Sequence, residues 1–240
     1  DWLSDIIGKN VYRINLSQYV EDSKDLDLLL NHIEHYSPAM YFTKVPTDQI
    51  AYIHKLSKLG FGIVDVNVTF KRNPTPVEDT GRTSIDLVMN ASDQYKNSIL
   101  KIAETSFVYS RFHLDPNILN QTANNIKRRW VESYIDGVRG EHLIVAMVDG
   151  NPAGFLAVMA SEWEGSSSRV VDLIAVDNCY RRLGVGKALL EGFNDMYVGV
   201  CDYLVVGTQI ANAPSIRLYE RSGFLLGKTS YVLHGHFGEE

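Results

Sequence analysis

Two arginines and two glycines that could take part in binding or catalysis lie together in the segment YRRLGVGKALLEGF, residues 180–193. The pattern Arg181-x-x-Gly184-x-Gly186 follows a strand-like run and precedes an apolar pattern typical of a helix. A helix N-terminus offers free backbone N–H groups and partial positive charge, and glycine lets a ligand approach the backbone closely. The turn therefore predicts an anion site. A tight strand-to-helix connection without a ligand is the alternative.

Two common phosphate-binding motifs do not fit this turn. A nucleoside-triphosphate loop requires Ser or Thr after Gly-Lys, whereas Gly186-Lys187 is followed by Ala188. A dinucleotide fingerprint requires a third glycine at the position of Leu189. The spacing alone therefore leaves the identity of the anion open.

A second motif lies downstream, in VVGTQIANAPSIRLYERSGF. It joins a strand pattern to Asn212, Ser215 and Tyr219 and ends at Gly223-Phe224. Together with the glycine turn, this motif resembles the GNAT superfamily of N-acetyltransferases, over residues 84–236. The resemblance implies a fold of the broad α/β class, described more narrowly as α+β. Its mixed central sheet, flanked by helices, splays between the fourth and fifth strands to admit acetyl-coenzyme A.

The same resemblance implies which residues hold the cofactor. The glycine turn would bind the pyrophosphate through its amides, the splayed strand would pair with the pantetheine arm, and the second motif would contact the cofactor's thiol arm or phosphates. The cofactor-binding set is Leu173, Ile174, Ala175, Val176, Arg181, Arg182, Leu183, Gly184, Val185, Gly186, Lys187, Ala188, Asn212, Ser215 and Tyr219.

Further segments extend the resemblance to the whole chain. YFTKVPTDQIAYIHKLSKLGFGIVDVNVTF, SFVYSRFHLDP, RRWVESYIDG and SYVLHGH resemble the bacterial dTDP-fucosamine acetyltransferase family. That resemblance implies acetylation of the amino group of a nucleotide-linked 4-amino-4,6-dideoxyhexose, for cell-surface polysaccharide, in a homodimeric enzyme. A peptide N-terminus, a lysine or a small polyamine is the alternative acceptor, and a non-catalytic acyl-CoA-binding module is the alternative to an enzyme.

Acetyl transfer to an amine needs a base, because a protonated amine has no lone pair to attack a thioester. Asp65 ends the GFGIVD run, where the resembling family carries a catalytic carboxylate; its best-known form has Glu there, and the shorter Asp favours a bridging water. A solvated structural carboxylate is the alternative for Asp65. Asp172 and Glu162 are rival bases, and Asp172 is equally compatible with a buried hydrogen-bonded role.

The departing coenzyme thiolate needs a proton donor, and a phenol has a suitable pKa. Tyr219 matches the superfamily's tyrosine, and a core-filling tyrosine is the alternative. A backbone amide of Ile174 or Ala175 would hold the oxyanion. Direct attack in a ternary complex needs no cysteine nucleophile.

Arginines and aromatic residues are natural ligands of a nucleotide sugar. The resemblance places the segment after the first helix of the acetyltransferase domain, and the last strand, beside the acceptor cleft. Arg128, Arg129 and Trp130 are further candidates, although such a patch is more often a packed or solvated face. The predicted substrate-binding residues are Tyr109, Arg111, His113, Tyr231 and His234.

Composition narrows the class of protein. The 240 residues carry a formal net charge of −6, which argues against a nucleic-acid partner and favours small molecules. The two cysteines, Cys179 and Cys201, form no disulfide framework or metal-ligand spacing, and the seven histidines show no ligand cluster, so we predict no metal. No apolar run is long enough to span a membrane, and we expect a cytoplasmic protein.

Hydrophobic periodicity predicts two blocks. The first, residues 1–80, reads as a small α/β domain with helices over 25–36 and 48–61 and strands at 38–46 and 61–70. Residues 71–83 are rich in turn-forming residues and predict a linker. The second block, residues 81–240, reads as the acetyltransferase domain, with a hairpin around 149–152 and a final strand pair around 224–236.

Overall fold

The computed structural model describes residues 1–15, 23–76, 85–90 and 93–238, so most of the predicted linker lies outside the described residues. The helices are α1 (Trp2–Ile7), α2 (Ser23–Tyr36), α3 (Ile50–Lys58), α4 (Lys96–Ser106), α5 (Asn120–Ile135), α6 (Val185–Tyr197) and α7 (Ala213–Arg221). The strands are β1 (Asn10–Arg13), β2 (Ala39–Pro46), β3 (Gly62–Arg72), β4 (Ile85–Met89), β5 (His142–Val148), β6 (Asn151–Trp163), β7 (Ser166–Val176), β8 (Tyr203–Gln209) and β9 (Leu225–Phe237).

These nine strands form one mixed sheet in the described chain, in the order β1-β2-β9-β3-β8-β7-β6-β5-β4. The pairs β1/β2 and β7/β8 are parallel, and the other pairs are antiparallel. The predicted α/β fold class is confirmed.

Each face of the sheet is covered by helices because the strands alternate buried side chains between the two faces. On β2, Met40 packs with α1 and α5, whereas the neighbouring Tyr41 packs with α2 and α3. On β3, Val68 and Phe70 join α6 and α7 in the largest core cluster. We call the side of the sheet that Met40 occupies the α5 face, and the opposite side the α6 face.

The predicted hairpin between β5 and β6 is confirmed. Asp149 and Gly150 have φ of 49° and 74°, which are the left-handed values that a tight two-residue hairpin turn requires. Aspartate and glycine tolerate this conformation better than other residues do.

Four elements differ from the sequence prediction. Helix α1 and strand β1 were not predicted, because each is too short to show a clear period. Helix α5 begins at Asn120, so its first turns consist of a polar run, residues 120–125, that shows no clear apolar period. The predicted final strand pair is wrong: Leu225–Phe237 is one long strand, which pairs with β3 along its first part and with β2 along its second.

The two predicted blocks meet within the sheet. Strands β1, β2 and β3 come from residues 1–80, yet β3 pairs with both β8 and β9 of the second block. Strand β9 in turn pairs with β2. Residues far apart in the chain are thereby brought onto one face, where the candidate site lies.

Candidate active site

The parallel strands β7 and β8 separate halfway along their length. Backbone pairing joins residues 168–171 of β7 to residues 203–206 of β8. Beyond that point β7 runs on to Val176 and β8 to Gln209, and among these described residues the two strands are no longer paired. The sheet therefore opens into a V-shaped gap with two free backbone edges.

Strand β7 presents alternate amides to this gap. The N–H of Asp177, just after the strand, donates to a backbone carbonyl of β6 at 2.9 Å. Because backbone groups of a strand alternate in direction, the amides of Ile174 and Val176 point toward the gap. Those of Leu173 and Ala175 point toward β6. Ile174 and Val176 are therefore the members of the predicted set whose amides can face a ligand there.

The glycine turn follows at the open end of the gap. Arg182 and Gly184 have left-handed φ values of 65° and 86°, and α6 begins at the next residue, Val185. The first amides of a helix have no intrahelical partners, and this geometry gathers them at one point. A Cβ added at Gly184 would meet no atom within 4 Å, so the turn is open to a ligand.

Substitution of Gly184 by valine is expected to weaken acetyl-CoA binding about tenfold or more, because a β-branched residue at this φ is strained by about 1–3 kcal/mol. Isothermal titration calorimetry with acetyl-CoA measures the change. Gly150→Val is the matched control, since Gly150 also has a positive φ and open surroundings but lies in the β5–β6 hairpin. Equal weakening in both variants would contradict a role for Gly184 in binding.

Two charged side chains of the turn, Arg181 and Lys187, contact protein groups. The Arg181 guanidinium donates to the carbonyls of Val176, at 3.4 Å, and Ser106, at 3.5 Å, which ties the turn to the ends of β7 and α4. Lys187 forms an ion pair of 3.0 Å with Glu191 one turn along α6. Backbone amides and the exposed side chain of Arg182 are thus the groups that the turn offers to an anion.

Asn212 and Ser215 organise the start of α7. The Asn212 side chain accepts a hydrogen bond from the Ser215 N–H at 3.4 Å and donates to the Thr208 hydroxyl of β8 at 3.2 Å. This is an N-cap that fixes α7 against the edge of the gap. Contact of these two residues with the cofactor remains a prediction.

Tyr219 lies in the core between α7 and the sheet. Its side chain is 2% exposed, and its ring lies 6.0 Å from that of Phe70 and 6.2 Å from that of Phe224. Burial raises the pKa of the phenol well above its usual range, although a hydrogen bond with Ser215 opposes the shift. The phenol therefore keeps its proton at neutral pH, as a proton donor must. Its packing also fits the alternative of a core tyrosine, and the acid role stays a prediction.

Asp65 is a buried carboxyl on the α5 face. It is 7% exposed, and its Oδ2 has no hydrogen-bond partner among the described residues. Asp65 lies at an irregularity of the β3–β9 pairing, opposite Val232, and Lys44 of β2 lies opposite Val232 from the other side. Burial raises the pKa of Asp65 from 3.8 to about 6, against the opposing effects of the Val66 amide, the Lys44 charge and Gln209.

This raised pKa gives a pH prediction. If Asp65 is the base, kcat/KM rises as the carboxyl loses its proton and levels off above a pH of about 6. A profile of kcat/KM between about pH 4.5 and about pH 9, with acetyl-CoA saturating, checks this expectation, because this range covers both sides of the transition. The acidic limb should be absent from Asp65→Asn. A limb that stays in place in that variant would assign it to another group.

The two rival bases are less suitable. Asp172 protrudes at an irregularity of the β6–β7 pairing, and its Oδ2 accepts hydrogen bonds from Trp130 (2.9 Å), Tyr134 (2.7 Å) and Arg139 (2.8 Å). These donors hold it as a structural carboxylate. Glu162 pairs with Ser167, on the part of β7 that comes before β7 and β8 separate. About 13 Å of strand lies between Glu162 and the start of the gap.

Lys44 joins Asp65 and was missed by the sequence analysis. Its ammonium donates to the Asn67 side chain at 3.0 Å. Burial and the charges of Arg111 and Arg13 lower the pKa of Lys44 to about 8, whereas Asp65 and Asp172 oppose the shift. Lys44 is nonetheless exposed to solvent, and we call its surroundings, which include the charges of Asp65 and Arg111, the recess. Its alternation with buried Thr43 and Val45 was the available signal.

The predicted substrate residues of the α4–α5 segment have different surroundings. Arg111 stacks on Phe42, with its Cζ 3.7 Å from the ring centroid, and faces the same recess as Lys44. Tyr109 is partly exposed. His113 uses both ring nitrogens in hydrogen bonds, with the Ser110 hydroxyl (2.6 Å) and with Asn124 (2.9 Å), which indicates a structural role.

The two predicted residues of β9 point to opposite faces, because they are three positions apart in a strand. His234 lies on the α5 face, where its Nδ1 is 2.5 Å from Asp115 Oδ2. Tyr231 instead packs with α2 and α3, so its inclusion in the same acceptor cleft is wrong. Of the other candidates, Arg129 forms an ion pair with Glu132.

The sequence analysis also missed a buried cluster of Asp115, His234 and His236. Their ligating atoms lie within 4.8 Å of one another. Asp115 Oδ2 accepts from both imidazoles, at 2.5 Å and 2.8 Å, since a carboxylate can only accept. Hydrogen bonding between an anion and two ring N–H groups explains this geometry, and the cluster anchors the α4–α5 segment to β9.

Comparison with known proteins defines the class of this chain. The model of the acetyltransferase (GNAT) family matches residues 100–224, which is more than half of the chain. The chain therefore belongs to the GNAT acetyltransferase family, whose acetyl donor is acetyl-CoA. The matched span contains the gap, the glycine turn and α7, whereas Asp65 and Lys44 lie before it.

Individual relatives match parts of the chain. The spore coat polysaccharide biosynthesis protein SpsD of Bacillus subtilis is 31% identical over 144 residues, 60% of this chain and 48% of SpsD. N-alpha-acetyltransferase 30 of Xenopus laevis is 38% identical over 68 residues, 27% of this chain and 25% of that protein. The chain thus aligns with about half or less of the length of these curated relatives.

Solved structures support the fold across nearly the whole chain. A tandem GNAT protein from the clavulanic acid biosynthesis pathway superposes with a TM-score of 0.66 at 13% identity, covering 97% of this chain and 77% of that protein. At this identity the likeness concerns the fold alone. None of the described helices is long and apolar enough to cross a bilayer.

Proposed function

We propose that this protein transfers the acetyl group of acetyl-CoA to the amino group of a nucleotide-linked amino-deoxyhexose, a 4-amino-4,6-dideoxyhexose, for cell-surface polysaccharide. The observation that carries the acceptor half is the recess in which the buried carboxyl of Asp65, whose Oδ2 has no hydrogen-bond partner among the described residues, lies near the cations Lys44 and Arg111. The donor half rests on the V-shaped gap and the glycine turn.

The donor would enter the gap with its pyrophosphate at the turn. The amides of residues 182–188 would hold the pyrophosphate, and the free edge of β7 would pair with the pantetheine arm. Ile174, whose amide points into the gap, would hold the oxyanion of the tetrahedral intermediate. Tyr219 and Ser215, on the α7 side of the gap, would lie near the thioester.

The chemistry needs three proton transfers. Asp65, directly or through one water, takes a proton from the acceptor ammonium, and the free amine attacks the thioester carbon. The C–N bond forms, the C–S bond breaks, and Tyr219 gives its proton to the departing sulfur. The second proton of the attacking nitrogen returns to the Tyr219 phenolate through water, which leaves a neutral amide and restores the phenol. No acyl-enzyme is formed, so both substrates are bound together when the acetyl group moves.

The acceptor proposal has three supports. Lys44, Arg111 and Arg13 lie close enough to influence one another's charge, which favours an anionic acceptor. The relative SpsD is named for polysaccharide biosynthesis. The resemblance of the N-terminal segments to the dTDP-fucosamine acetyltransferases points to the same substrate class.

A peptide α-amine is the second candidate. The similarity to N-alpha-acetyltransferase 30 favours it, since that match has the higher identity of the two relatives. It covers only 27% of this chain, however, and the cations of the recess would repel a positively charged amine.

A substrate panel separates these candidates. The full chain is incubated with acetyl-CoA and nucleotide-linked 3-amino-deoxyhexoses, their 4-amino isomers, peptides with free N-termini, or spermidine, and thiol release is followed. We expect release with a 4-amino sugar nucleotide and none with its 4-hydroxy counterpart. Release confined to peptides would replace the proposed acceptor, and silence across the whole panel would contradict an acetyltransferase of small amines.

The domain division and assembly belong to the same proposal. Residues 1–80 would act as a small domain that supplies Asp65 and Lys44, and residues 81–240 as the acetyltransferase domain that supplies the donor site. The resemblance also implies a homodimer, and the cytoplasmic location expected from the sequence belongs to the proposal as well. Light scattering on the purified chain measures the oligomeric state directly.

A further inference from the structure

Lys127 of α5 is a buried lysine whose ammonium is surrounded by aromatic rings. The residue is 6% exposed. Its Nζ lies 4.9 Å from the ring centroid of Phe107 and 4.7 Å from that of Trp130. Burying a lysine is costly unless a partner compensates for its charge, and aromatic faces compensate only partly.

Arg111 shares an aromatic ring with this lysine. The Arg111 guanidinium lies 4.5 Å from the centroid of Phe112, and Lys127 Nζ lies 6.0 Å from the same centroid. The guanidinium also stacks on Phe42 at 3.7 Å. These contacts fix two positive charges side by side at the α4–α5 segment.

The carboxylates nearest to this pair are already engaged. Within the described residues, neither Arg111 nor Lys127 has a carboxylate oxygen within 4.0 Å. Asp115 accepts from His234 and His236, and Asp172 accepts from three donors on α5 and the segment after it. The two cations therefore have no close counter-ion in the part of the chain that the structure describes.

The electrostatic cost of burying these two cations together lowers the pKa of both Lys127 and Arg111. Burial and the Arg111 charge lower the pKa of Lys127 to about 7, with Asp172 opposing the shift. Burial and the Arg13 charge lower the pKa of Arg111 to about 9, with Asp115 opposing it. A bound anion would relieve this cost at both positions.

We propose that Arg111 and Lys127 form the subsite that binds the diphosphate of the acceptor, so that the acceptor enters as a nucleoside diphosphate derivative. The subsite deepens the proposed function and rests on it for the identity of the acceptor. Two adjacent cations match the paired charges of a diphosphate, and a guanidinium forms bidentate hydrogen bonds with phosphate oxygens. Lys44, in the same recess, would lie on the path from this subsite to Asp65.

Binding measurements test the subsite without any acetyl transfer. Thymidine diphosphate, inorganic pyrophosphate and thymidine are titrated calorimetrically into the full chain, with coenzyme A saturating so that the glycine turn is occupied. We expect both diphosphates to bind the wild type and thymidine to bind much more weakly. Lys127→Met should raise the Kd of both diphosphates about tenfold or more, as expected for the loss of one charge-assisted contact.

Matched variants keep this test specific. Lys101→Met removes a charge from the exposed face of α4 and should leave all Kd values unchanged. Lys127→Met keeps the side-chain volume in an apolar cage, so coenzyme A affinity and the melting temperature should be retained. If it nevertheless unfolds, Arg111→Met provides the same test, with the same expected loss.

The outcomes separate this inference from the proposed function. Unchanged diphosphate affinity in the folded variant, or equal affinity of the wild type for thymidine and its diphosphate, would overturn the subsite even if sugar nucleotides are acetylated. Lys127-dependent diphosphate binding together with no acetylation of any sugar nucleotide would support the subsite and contradict the proposed acceptor.

Discussion

Tyr219→Phe is expected to lower kcat about 100-fold, because general acid catalysis contributes at least that factor when the leaving group is a thiolate that must be protonated. The KM for the acceptor should change little, since the phenol acts on the departing sulfur. The substitution removes one hydrogen bond, with Ser215, and should cost only about 1 kcal/mol of unfolding free energy. Steady-state kinetics with thermal unfolding checks both expectations.

Tyr197→Phe is the control for this prediction. Tyr197 is another buried tyrosine of the same core, but it lies on α6 rather than α7. Its hydroxyl lies 3.2 Å from a carboxylate oxygen of Glu141. Its replacement should leave kcat near the wild-type value. If both variants lose activity equally, Tyr219 acts through packing, which is the alternative that its burial allows.

Asp65→Asn is expected to lower kcat/KM about 100-fold above pH 6, because the amide cannot accept the proton of the acceptor. The acetyl-CoA Kd should stay unchanged. Asp86→Asn on the exposed strand β4 removes the same charge far from the gap and serves as the control. Full activity of Asp65→Asn would show that another group takes the proton.

The same variant should be more stable than the wild type at neutral pH. The folded-state pKa of Asp65 is raised from 3.8 to about 6, so stability is lost as pH rises through this interval and stays lost above it. Removing the buried charge should therefore raise the unfolding free energy by about 2 kcal/mol at pH 8, with no gain below pH 4. Urea unfolding at the two pH values measures the difference.

Local patterns were sufficient for most elements of the fold. The glycine turn, the hairpin at Asp149-Gly150 and the amphipathic α6 each depend on residues that are close in sequence. The length of β9 was harder to predict. Its thirteen residues include Gly227 and Ser230, which weaken the strand pattern, and only pairing with β2 and β3 shows that it is continuous.

The acceptor recess depended on contacts that no local pattern contains. Lys44, Asp65 and Arg111 lie on β2, on β3 and in the α4–α5 segment, and the sheet order brings them together. The sequence does not single out Lys127, because a basic residue on a helix normally faces solvent. The error at Tyr231 was avoidable, since residues three apart in one strand cannot share a face.

Transfer of a labelled acetyl group to a sugar nucleotide by the intact chain shows whether the proposed reaction takes place. Acetyl-CoA carrying an isotope-labelled acetyl group is supplied with a nucleotide-linked 4-amino-4,6-dideoxyhexose, and the product is examined by mass spectrometry and NMR. We expect the label in an amide on the sugar nitrogen, formed by the wild type and strongly reduced in Tyr219→Phe and Asp65→Asn. Label found only on peptide amines, or on no acceptor at all, would contradict the proposed reaction.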